Sequence, residues 1–338
     1  LSIGNSARAP AVIGKMNDGA RRAFLHMLRA CYKKYIRVPL LDRSIRRVLE
    51  AGVAAYARLK GFSFPRNYIR RWKLDMLLFK YEPETVWLCQ KIIRPGMIVV
   101  DIGAHIGYFT RLFSSLVGAE GAVYAFEADP ENFALLLKNT RALRNVSQIE
   151  RAVSEKKGVV DFYHYDDKSG AHSTLRNVPL DYAKRKISVP ATDLDSWMRE
   201  SGVARIDVIK MDIEGGESAA LRGMSEALKR ARILITEFAP AWIEAAGSTG
   251  EEFLRAILSH GFRINAITQG GLVPLKGAMS AELASLLPRA KSGSHHGEFV
   301  NLYCVKAYRL TVPEERSSRK PGKDERSHFG VSSRSQTM

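Results

Sequence analysis

The stretch MIVVDIGAHIGYFT, residues 97–110, decides the fold of this chain. Its apolar residues 98–100 predict a buried parallel strand, and the strand ends at an acidic residue, Asp101. Gly103 and Gly107 follow, spaced four residues apart. Glycine lets the backbone bend sharply and come close to a ligand. The stretch therefore predicts a cofactor-binding turn at the tip of the first strand of an α/β fold.

The composition of this turn narrows the class of cofactor. Dinucleotide-binding turns have the pattern G-x-G-x-x-G, whose N–H groups hold a pyrophosphate. Here Ala104 replaces the middle glycine, and Asp101 places a carboxylate at the strand tip. A carboxylate is unsuited to a diphosphate but suits a cation. S-adenosylmethionine carries a sulfonium and an ammonium and no phosphate, so we expect Asp101, Gly103, Ala104 and Gly107 to contact that cofactor.

A second strand also ends in an acidic residue. Residues 121–130 read GAVYAFEADP, and Glu127 lies 24 residues after Gly103. This is close to the roughly 20-residue offset at which a second-strand acid reaches a ribose diol. A carboxylate can accept from two vicinal hydroxyls at once. We predict that Glu127 binds the ribose and that Ala128 lies beside the cofactor; a solvated strand end is the alternative for Glu127 taken alone.

A third acid-tipped strand lies in residues 207–217, DVIKMDIEGGE. Asp212 and Glu214 fall on the same side of the chain because strand side chains alternate with a period of two. Three such strands separated by helical stretches predict a doubly wound, Rossmann-like sheet with a negatively lined crevice at its carboxyl edge.

Several motifs taken together resemble the FkbM-type methyltransferases. They are VDIGAHIG (100–107), FEADP (126–130), TDLDSW (192–197) and IKMDIEGGE (209–217), with YEPE (81–84) and RPG (94–96) before them. The resemblance covers about residues 81–306. It implies a class I methyltransferase fold and transfer of a methyl group from S-adenosylmethionine to a hydroxyl oxygen of a sugar, polyketide, lipid or glycan.

Methyl transfer to a neutral alcohol needs a base as the new bond forms. Asp212 is the best placed residue by position, with Glu214 as the alternative, although Asp212 could instead bind the ammonium of the cofactor. Substrate contacts are predicted for His172 and Ser173, which precede the third acid-tipped strand, and for Glu237 at the end of the next one.

No metal site is predicted. His295 and His296 precede Glu298, but adjacent histidines are poorly arranged to bind one ion, and a surface loop is expected there.

Two other functions are compatible with this type of sheet. One is a non-catalytic binding module recruited through basic N-terminal helices, and the other is a nicotinamide-dependent oxidoreductase. The missing middle glycine counts against the oxidoreductase. The presence of Asp101, Glu127, Asp212 and Glu214 together counts against a module that has lost its chemistry.

The charge of the chain is unevenly distributed. The 338 residues carry a net charge of +17. Residues 1–75 hold 17 Lys and Arg against 4 Asp and Glu, residues 309–338 hold 7 against 4, and residues 76–308 hold 28 against 27. The central part is nearly neutral, whereas a nucleic-acid enzyme would carry a basic field around its crevice. No specific nucleic-acid partner is therefore expected.

Composition also bears on location. Three widely spaced cysteines, with no C-x-x-C pair, favour a reducing compartment over a disulfide framework or a zinc site. No apolar run is long enough for a transmembrane helix, and the N-terminus lacks a signal-peptide pattern. A cytoplasmic protein is expected, with peripheral membrane contact through residues 1–75 as a further option.

Three segments are predicted: a basic helical extension (1–75), a methyltransferase domain (76–308) and a disordered basic tail (309–338). Two amphipathic basic helices are expected over 19–37 and 42–60. They would pack on the core domain or on a second copy in a homodimer; peripheral membrane contact is the alternative.

Within the central segment the pattern predicts a helix, a hairpin arm and seven sheet strands. The helix is 83–93, the arm is 158–165, and the strands are 97–101, 122–127, 147–153, 206–212, 232–237, 262–268 and 299–306.

Overall fold

The computed structural model describes residues 39–65, 68, 70–165, 172–176, 184–276 and 299–306. The helix predicted over 19–37, the tail predicted over 309–338 and the loop with His295 and His296 lie outside this part of the chain. Among the helices of the described part, none combines the length and the apolar character that crossing a bilayer requires.

Two sheets and ten helices make up the described chain. The strands are β1 (Ile98–Ile102), β2 (Ala122–Glu127), β3 (Val146–Glu150), β4 (Ala152–Val153), β5 (Gly158–Tyr165), β6 (Lys184–Thr192), β7 (Val208–Met211), β8 (Ile233–Phe238), β9 (Phe262–Thr268), β10 (Gly271–Pro274) and β11 (Val300–Lys306). The helices are α1 (Pro39–Leu59), α2 (Arg70–Leu77), α3 (Pro83–Ile92), α4 (Tyr108–Val117), α5 (Pro130–Thr140), α6 (Leu194–Ser201), α7 (Glu217–Arg222), α8 (Ser225–Arg230), α9 (Pro240–Ala245) and α10 (Gly250–Ser259).

The large sheet has the strand order β10-β9-β11-β8-β7-β1-β2-β3. Strands β3, β2, β1, β7 and β8 pair in parallel, whereas β11 is antiparallel to both β8 and β9. Because β1 lies between β2 and β7, the strand order reverses there. A ligand crevice is expected at such a switch point, outside the carboxyl ends of the strands. The α/β doubly wound, Rossmann-like fold is confirmed.

One predicted strand is divided between two sheets. The segment expected to be a single strand over 147–153 forms β3 in the large sheet and β4 in a three-stranded sheet of order β4-β6-β5. The chain turns at Arg151, whose N–H donates to the carbonyl of Ile149 at 3.0 Å. The arm 158–165 is confirmed as β5, outside the parallel sheet, and its antiparallel partner β6 was not predicted.

Apolar side chains cover both faces of the large sheet. One face packs Trp197, Phe253 and Leu254, and the other packs Phe109 and Phe113. Trp197 lies with its ring centroid 5.0 Å from that of Tyr124 and 5.0 Å from that of Phe126, and it is buried in the core.

Helix α1 contacts the rest of the protein mainly through its last turns. It ends near Gly61, as predicted, where φ is +62°. Arg111 of α4 donates to the carbonyls of Lys60 at 2.9 Å and Gly61 at 3.1 Å, which fastens this end. Val48 and Leu49, earlier in α1, are exposed. Among the residues of α1 whose side chains are described, 47–59, the predicted packing on the core therefore holds for the last turns.

Candidate active site

A cavity of about 310 Å³ lies at the carboxyl edge of the large sheet. Gly103, Glu127 and Glu237, at or beside the ends of β1, β2 and β8, line it together with Asp212, which follows β7. Its volume falls at the lower end of the range typical of ligand sites. The switch point predicted from the strand pattern is thus a real concavity.

The backbone N–H groups of the glycine turn bond within the protein. Gly103 and Ala104 donate to the carbonyl of Phe126 at 3.0 and 2.8 Å. The N–H of His105 donates to Oε2 of Glu127 at 2.7 Å. In a dinucleotide fold these groups would face a pyrophosphate. Since they are already bonded to the end of β2, the turn does not present the cradle that a nicotinamide dinucleotide requires.

The structure explains the glycine at position 103 differently from the sequence, which suggested close approach of a ligand. Its φ is +81°, and a Cβ placed there would lie 1.8 Å from the backbone oxygen of Asp212. The glycine is therefore required by the close packing of β1 against the chain after β7, rather than by the approach of a cofactor. Gly107, at φ +88°, begins α4 and packs against Leu136 of α5. Ala104 is buried, and neither Ala104 nor Gly107 lines the cavity.

Glu127 is fixed at one end of the cavity. Its Oε1 accepts from the N–H of Asp129 at 2.9 Å, and its Oε2 accepts from His105. Burial raises the pKa of Glu127 to about 8, although the backbone hydrogen bonds act in the opposite direction. An ionised carboxylate has about four acceptor positions, so each oxygen can still accept a ligand hydroxyl. Ala128 lines the cavity beside it, as predicted.

Asp101 lies beneath the cavity and does not line it. It is fully buried, its Oδ2 accepts from the hydroxyl of Thr110 at 2.6 Å, and its Oδ1 has no partner among the described residues. Burial raises the pKa of Asp101. Its predicted direct contact with the cofactor does not follow from this position. In the register of the sheet, the residue of β7 that lies beside Asp101 is Lys210.

Lys210 is a buried cation that sequence reasoning did not single out. Its Nζ donates to Oδ2 of Asp212 at 3.0 Å and lies 4.7 Å from the ring centroid of Phe109. Burial alone would lower the pKa of Lys210, but the carboxylates of Asp212, Asp101 and Glu82 outweigh it and raise that pKa. The period-two spacing of Lys210 and Asp212 was a signal that could have identified the pair.

Asp212 faces the cavity with 28% of its side chain exposed. Glu214, two residues on, lines the same cavity in a strained conformation with φ +51°. Such a φ is uncommon for a residue other than glycine and often marks a functional site. Burial, followed by the charge of Asp212, raises the pKa of Glu214 well above its ordinary value.

Two side chains hold the turn that carries Glu214. The carboxylate of Glu217 accepts from the N–H groups of Ile213 and Gly215, each at 2.8 Å. The hydroxyl of Ser173 donates to the carbonyl of Glu214 at 2.6 Å. Ser173 is fully buried and does not line the cavity. Its hydroxyl supports the turn, so this placement does not support the predicted contact with substrate.

The end of the cavity beyond Asp212 combines acids with aromatic rings. Glu237 lines it, as predicted, and burial followed by the charge of Glu214 raises the pKa of Glu237 well above its ordinary value. Glu82 also lines it, and burial raises the pKa of Glu82 to about 7. Tyr68 and Trp72 also line the cavity, and the ring centroid of Tyr68 lies 5.9 Å from that of His105. Sequence reasoning missed Glu82, Tyr68 and Trp72 as site residues.

Asp129, His164 and His172 form a buried cluster next to Glu127. His164 Nδ1 donates to Asp129 Oδ2 at 2.5 Å, and the two imidazole rings stack with centroids 4.1 Å apart. His172 Nδ1 accepts from the N–H of Tyr165 at 3.0 Å, so the proton of the neutral ring is on Nε2. A metal ligand needs a lone pair at that nitrogen, so the cluster does not suit a metal.

His172 remains relevant as a hydrogen-bond donor. It lines the cavity, and its Nε2 has no hydrogen-bond partner among the described residues. Burial lowers the pKa of His172 to about 3, which keeps the ring neutral. His172 lies near the Glu127 end of the cavity, so its N–H faces the side on which a cofactor, rather than an acceptor, is expected.

Comparison with known proteins identifies the family. A sequence model described as the methyltransferase FkbM domain matches residues 101–264. The 2-O-methyltransferase NoeI of Sinorhizobium fredii is 30% identical over 177 residues, which cover 49% of this chain and 71% of that protein. The chain belongs to the FkbM methyltransferase family. The resemblance inferred from its motifs is confirmed, and S-adenosylmethionine is its cofactor.

Two further relatives of this chain carry names that state the molecule they methylate. The 31-O-demethyl-FK506 methyltransferase FkbM of Streptomyces tacrolimicus is 29% identical over 202 residues, covering 52% of this chain and 75% of that protein. The hexuronic acid methyltransferase AglP of Haloferax volcanii is 25% identical over 168 residues, covering 49% of this chain and 65% of that protein.

The residues of the cavity fit S-adenosylmethionine. Glu127 retains free acceptor positions for a diol, and Asp212 presents a carboxylate suited to an ammonium.

Proposed function

We propose that this protein transfers the methyl group of S-adenosylmethionine to a hydroxyl oxygen of a small-molecule or sugar acceptor. The observation that carries the proposal is the cavity at the switch point of the sheet. Glu127, held by two backbone N–H groups, lies at one end of it, and Asp212, Glu214 and Glu237 lie at the other.

The two ends of the cavity bind different parts of the cofactor. Glu127 accepts hydrogen bonds from the ribose hydroxyls of the cofactor through the acceptor positions that the backbone leaves free. Asp212 binds the ammonium of the cofactor, because one of its oxygens bonds to Lys210 and the exposed part of the carboxylate faces the cavity. Bound S-adenosylmethionine supplies an electrophilic methyl group.

Glu214 accepts the proton of the acceptor hydroxyl. Its turn is held by Glu217 and Ser173, so the carboxylate is positioned before the substrate binds. Burial and the charge of Asp212 raise the pKa of Glu214, and a carboxylate with a raised pKa is a stronger base than an ordinary one. The hydroxyl proton moves to the carboxylate of Glu214, while Glu237 holds the acceptor. Asp212 is assigned to binding because Lys210 already donates to it.

Oxygen as the methylated atom is supported by the described relatives. NoeI is described as a 2-O-methyltransferase, and FkbM as a methyltransferase of 31-O-demethyl-FK506. The buried acids of this cavity suit the removal of a hydroxyl proton.

A labelling experiment tests this function. The full chain is incubated with S-adenosylmethionine that carries a deuterated methyl group and with a pool of hydroxylated sugars and polyketides. Mass spectrometry of the products should locate the label in a methyl ether, and Glu127→Ala should reduce its formation. Label found on nitrogen or carbon, or a protein that binds the cofactor but labels nothing in the pool, would contradict the proposal.

We also propose that the basic extension brings this enzyme to the cytoplasmic side of an anionic membrane. In α1, Val48 and Leu49 are 71% and 47% exposed beside the exposed Arg47. An exposed apolar face flanked by basic residues is typical of helices that lie on membrane surfaces. The double variant Val48→Glu/Leu49→Glu should lose co-sedimentation with anionic vesicles at low salt. Unchanged co-sedimentation would contradict this, and loss of a dimer would assign the face to self-association instead.

A further inference from the structure

His172 lines the cavity and carries a buried hydrogen-bond donor that has no acceptor in the described part of the chain. Its side chain is 4% exposed, and its Nε2 has no hydrogen-bond partner there. Oδ2 of Asp129 lies 3.9 Å from this nitrogen, beyond hydrogen-bonding distance, and it already bonds to His164. A buried donor without an acceptor costs free energy, so this group requires an explanation.

The neighbours of His172 fix both its tautomer and the position of its ring. The N–H of Tyr165 donates to Nδ1 at 3.0 Å, so the proton of the neutral ring is on Nε2. The ring stacks on that of His164 at a centroid distance of 4.1 Å and meets the edge of Phe162 at 6.4 Å. Burial lowers the pKa of His172 to about 3, which keeps the ring neutral. His172 therefore offers one positioned donor and no free acceptor.

The part of the cavity beside His172 is apolar. Phe162, against which His172 packs, belongs to a small apolar cluster with Ala152, and Ala128 packs against that cluster. All three apolar side chains line the cavity. Ala128 directly follows Glu127, which binds the ribose in the function proposed above. An apolar surface beside a diol-binding carboxylate is suited to the flat base of a nucleoside.

The parts of S-adenosylmethionine differ in what they offer to a donor. In the function proposed above, the ribose hydroxyls donate to Glu127 and the ammonium donates to Asp212. The ring nitrogens of the adenine carry lone pairs and no proton, so they match a group that can only donate. A purine placed against Phe162 and Ala152 would bring this acceptor edge to the side of the cavity that His172 lines.

We propose, on the basis of the methyl transfer proposed above, that Nε2–H of His172 donates a hydrogen bond to a ring nitrogen of the adenine of S-adenosylmethionine. His172 lies between β5 and β6, whereas Glu127 and Asp212 lie at the ends of strands in the large sheet. The part of the chain that forms the three-stranded sheet thus supplies a cofactor contact. The sequence predicted that His172 would contact the acceptor substrate, and this proposal assigns it to the cofactor instead.

Deaza analogues of S-adenosylhomocysteine test this contact without changing the protein. In the 1-deaza, 3-deaza and 7-deaza analogues, a C–H group replaces one ring nitrogen of the adenine. Calorimetry with the full chain should show that one analogue binds about tenfold more weakly than S-adenosylhomocysteine, because the bond to a buried donor is lost. Equal affinity for S-adenosylhomocysteine and all three analogues overturns the proposal.

Two variants assign the loss of affinity to His172. His172→Phe keeps a ring that can stack on His164 but removes the donor. It should bind S-adenosylhomocysteine about tenfold more weakly and should no longer distinguish it from the sensitive analogue. His164→Phe is the matched control, because His164 belongs to the same stack but does not line the cavity. This control should keep the tenfold preference. A preference that survives in His172→Phe, or that is lost in both variants, overturns the assignment.

A measurement on the natural chain does not depend on the folding of His172→Phe. With nitrogen-15 in its histidines, the Nε2–H signal of His172 should shift when S-adenosylhomocysteine is added and should shift less with the sensitive analogue. The same shift with both ligands overturns the proposal. A full chain that does not bind S-adenosylhomocysteine contradicts the proposed function itself, whereas normal binding without sensitivity to a ring nitrogen contradicts the role of His172 alone.

Discussion

The two ends of the cavity are built in different ways. At the cofactor end, the turn after β1 and Glu127 are joined by backbone hydrogen bonds over a short stretch of sequence. At the acceptor end, Glu82, Glu214 and Glu237 come from three separate segments and meet only in the folded chain. Substitutions at the cofactor end should therefore change stability and cofactor affinity, whereas those at the acceptor end should change turnover and specificity.

The largest effect is expected at the acceptor end. Glu214→Gln keeps the shape of the side chain but removes its ability to take a proton. Turnover should fall by about a hundred- to ten-thousand-fold, with little change in cofactor affinity, because general base catalysis contributes about this much.

Asp212→Asn is the matched comparison for Glu214→Gln. It should weaken cofactor binding as well as lower turnover, because the charge that binds the ammonium is lost. Single-turnover kinetics combined with calorimetry separate the two effects. A variant Glu214→Gln with full turnover, or an Asp212→Asn variant with unchanged affinity and lost turnover, would exchange the two assignments.

The turn after β1 should respond through stability. Gly103→Ala places a methyl group against the carbonyl of Asp212 and should cost roughly 2–5 kcal/mol of unfolding free energy, measured by urea denaturation. Gly96 is the control: its φ is +79°, nearly that of Gly103, but a Cβ added at Gly96 would meet no atom within 4 Å. Gly96→Ala should cost only about 1–2 kcal/mol. Equal losses in the two variants would mean that backbone strain, and not the close approach of the strands, requires Gly103.

A smaller effect is expected from pH. The pKa of Glu127 is raised to about 8 in the folded protein, so the folded state keeps this proton to a higher pH than the unfolded state. The stability that this proton contributes is present at low pH and is lost as the pH rises through about 8. His105 and His172 act in the opposite direction, because their pKa values are lowered to about 4 and about 3 in the folded protein while an unfolded histidine still titrates near 6.5.

The contribution of Glu127 is therefore measured as the difference between the natural chain and a Glu127 variant across pH 6.5 to 8. Without ligand, the free energy of unfolding should fall across it by on the order of 1 kcal/mol from Glu127, with a further loss from Glu82 and Glu217, whose pKa values are each raised to about 7. Glu127→Gln should show a shallower fall in urea titrations at the two pH values. A slope equal to that of the natural chain would contradict the buried, proton-holding state of Glu127.

The sequence predicted what depends on local pattern. The acid-tipped strands β1, β2 and β7 were located to within about two residues because apolar runs ending in acid and glycine are local signals. Glu127 ends β2 and Asp212 comes directly after β7. Because these strands are parallel, their carboxyl ends lie at the same edge of the sheet, and the sequence could predict that the two side chains meet there. The divided segment at Arg151 and the unpredicted β6 were missed because both depend on pairing in a second sheet.

The acceptor end could be predicted only in part. Glu237 was found because it ends a strand, whereas Tyr68 and Trp72 are brought to the cavity by the packing of the N-terminal segment on the sheet. Nothing local distinguishes these rings from ordinary core aromatics. Conversely, Asp101 and Ser173 had local signals of function, but the fold buries both of them away from the cavity.

Glu127 is proposed to bind the ribose of S-adenosylmethionine, and calorimetric titration with S-adenosylhomocysteine measures this contact. Measured above pH 8, where Glu127 is ionised, Glu127→Ala should lose about 1.5–3 kcal/mol of binding free energy, roughly ten- to a hundred-fold in affinity, since charge-assisted hydrogen bonds are lost. Glu150→Ala, an exposed glutamate paired with Glu127 on the neighbouring strand, should bind like the natural chain, and NAD should not bind to any of the three. Unchanged affinity in a folded Glu127→Ala variant, or tight binding of NAD, would contradict the account.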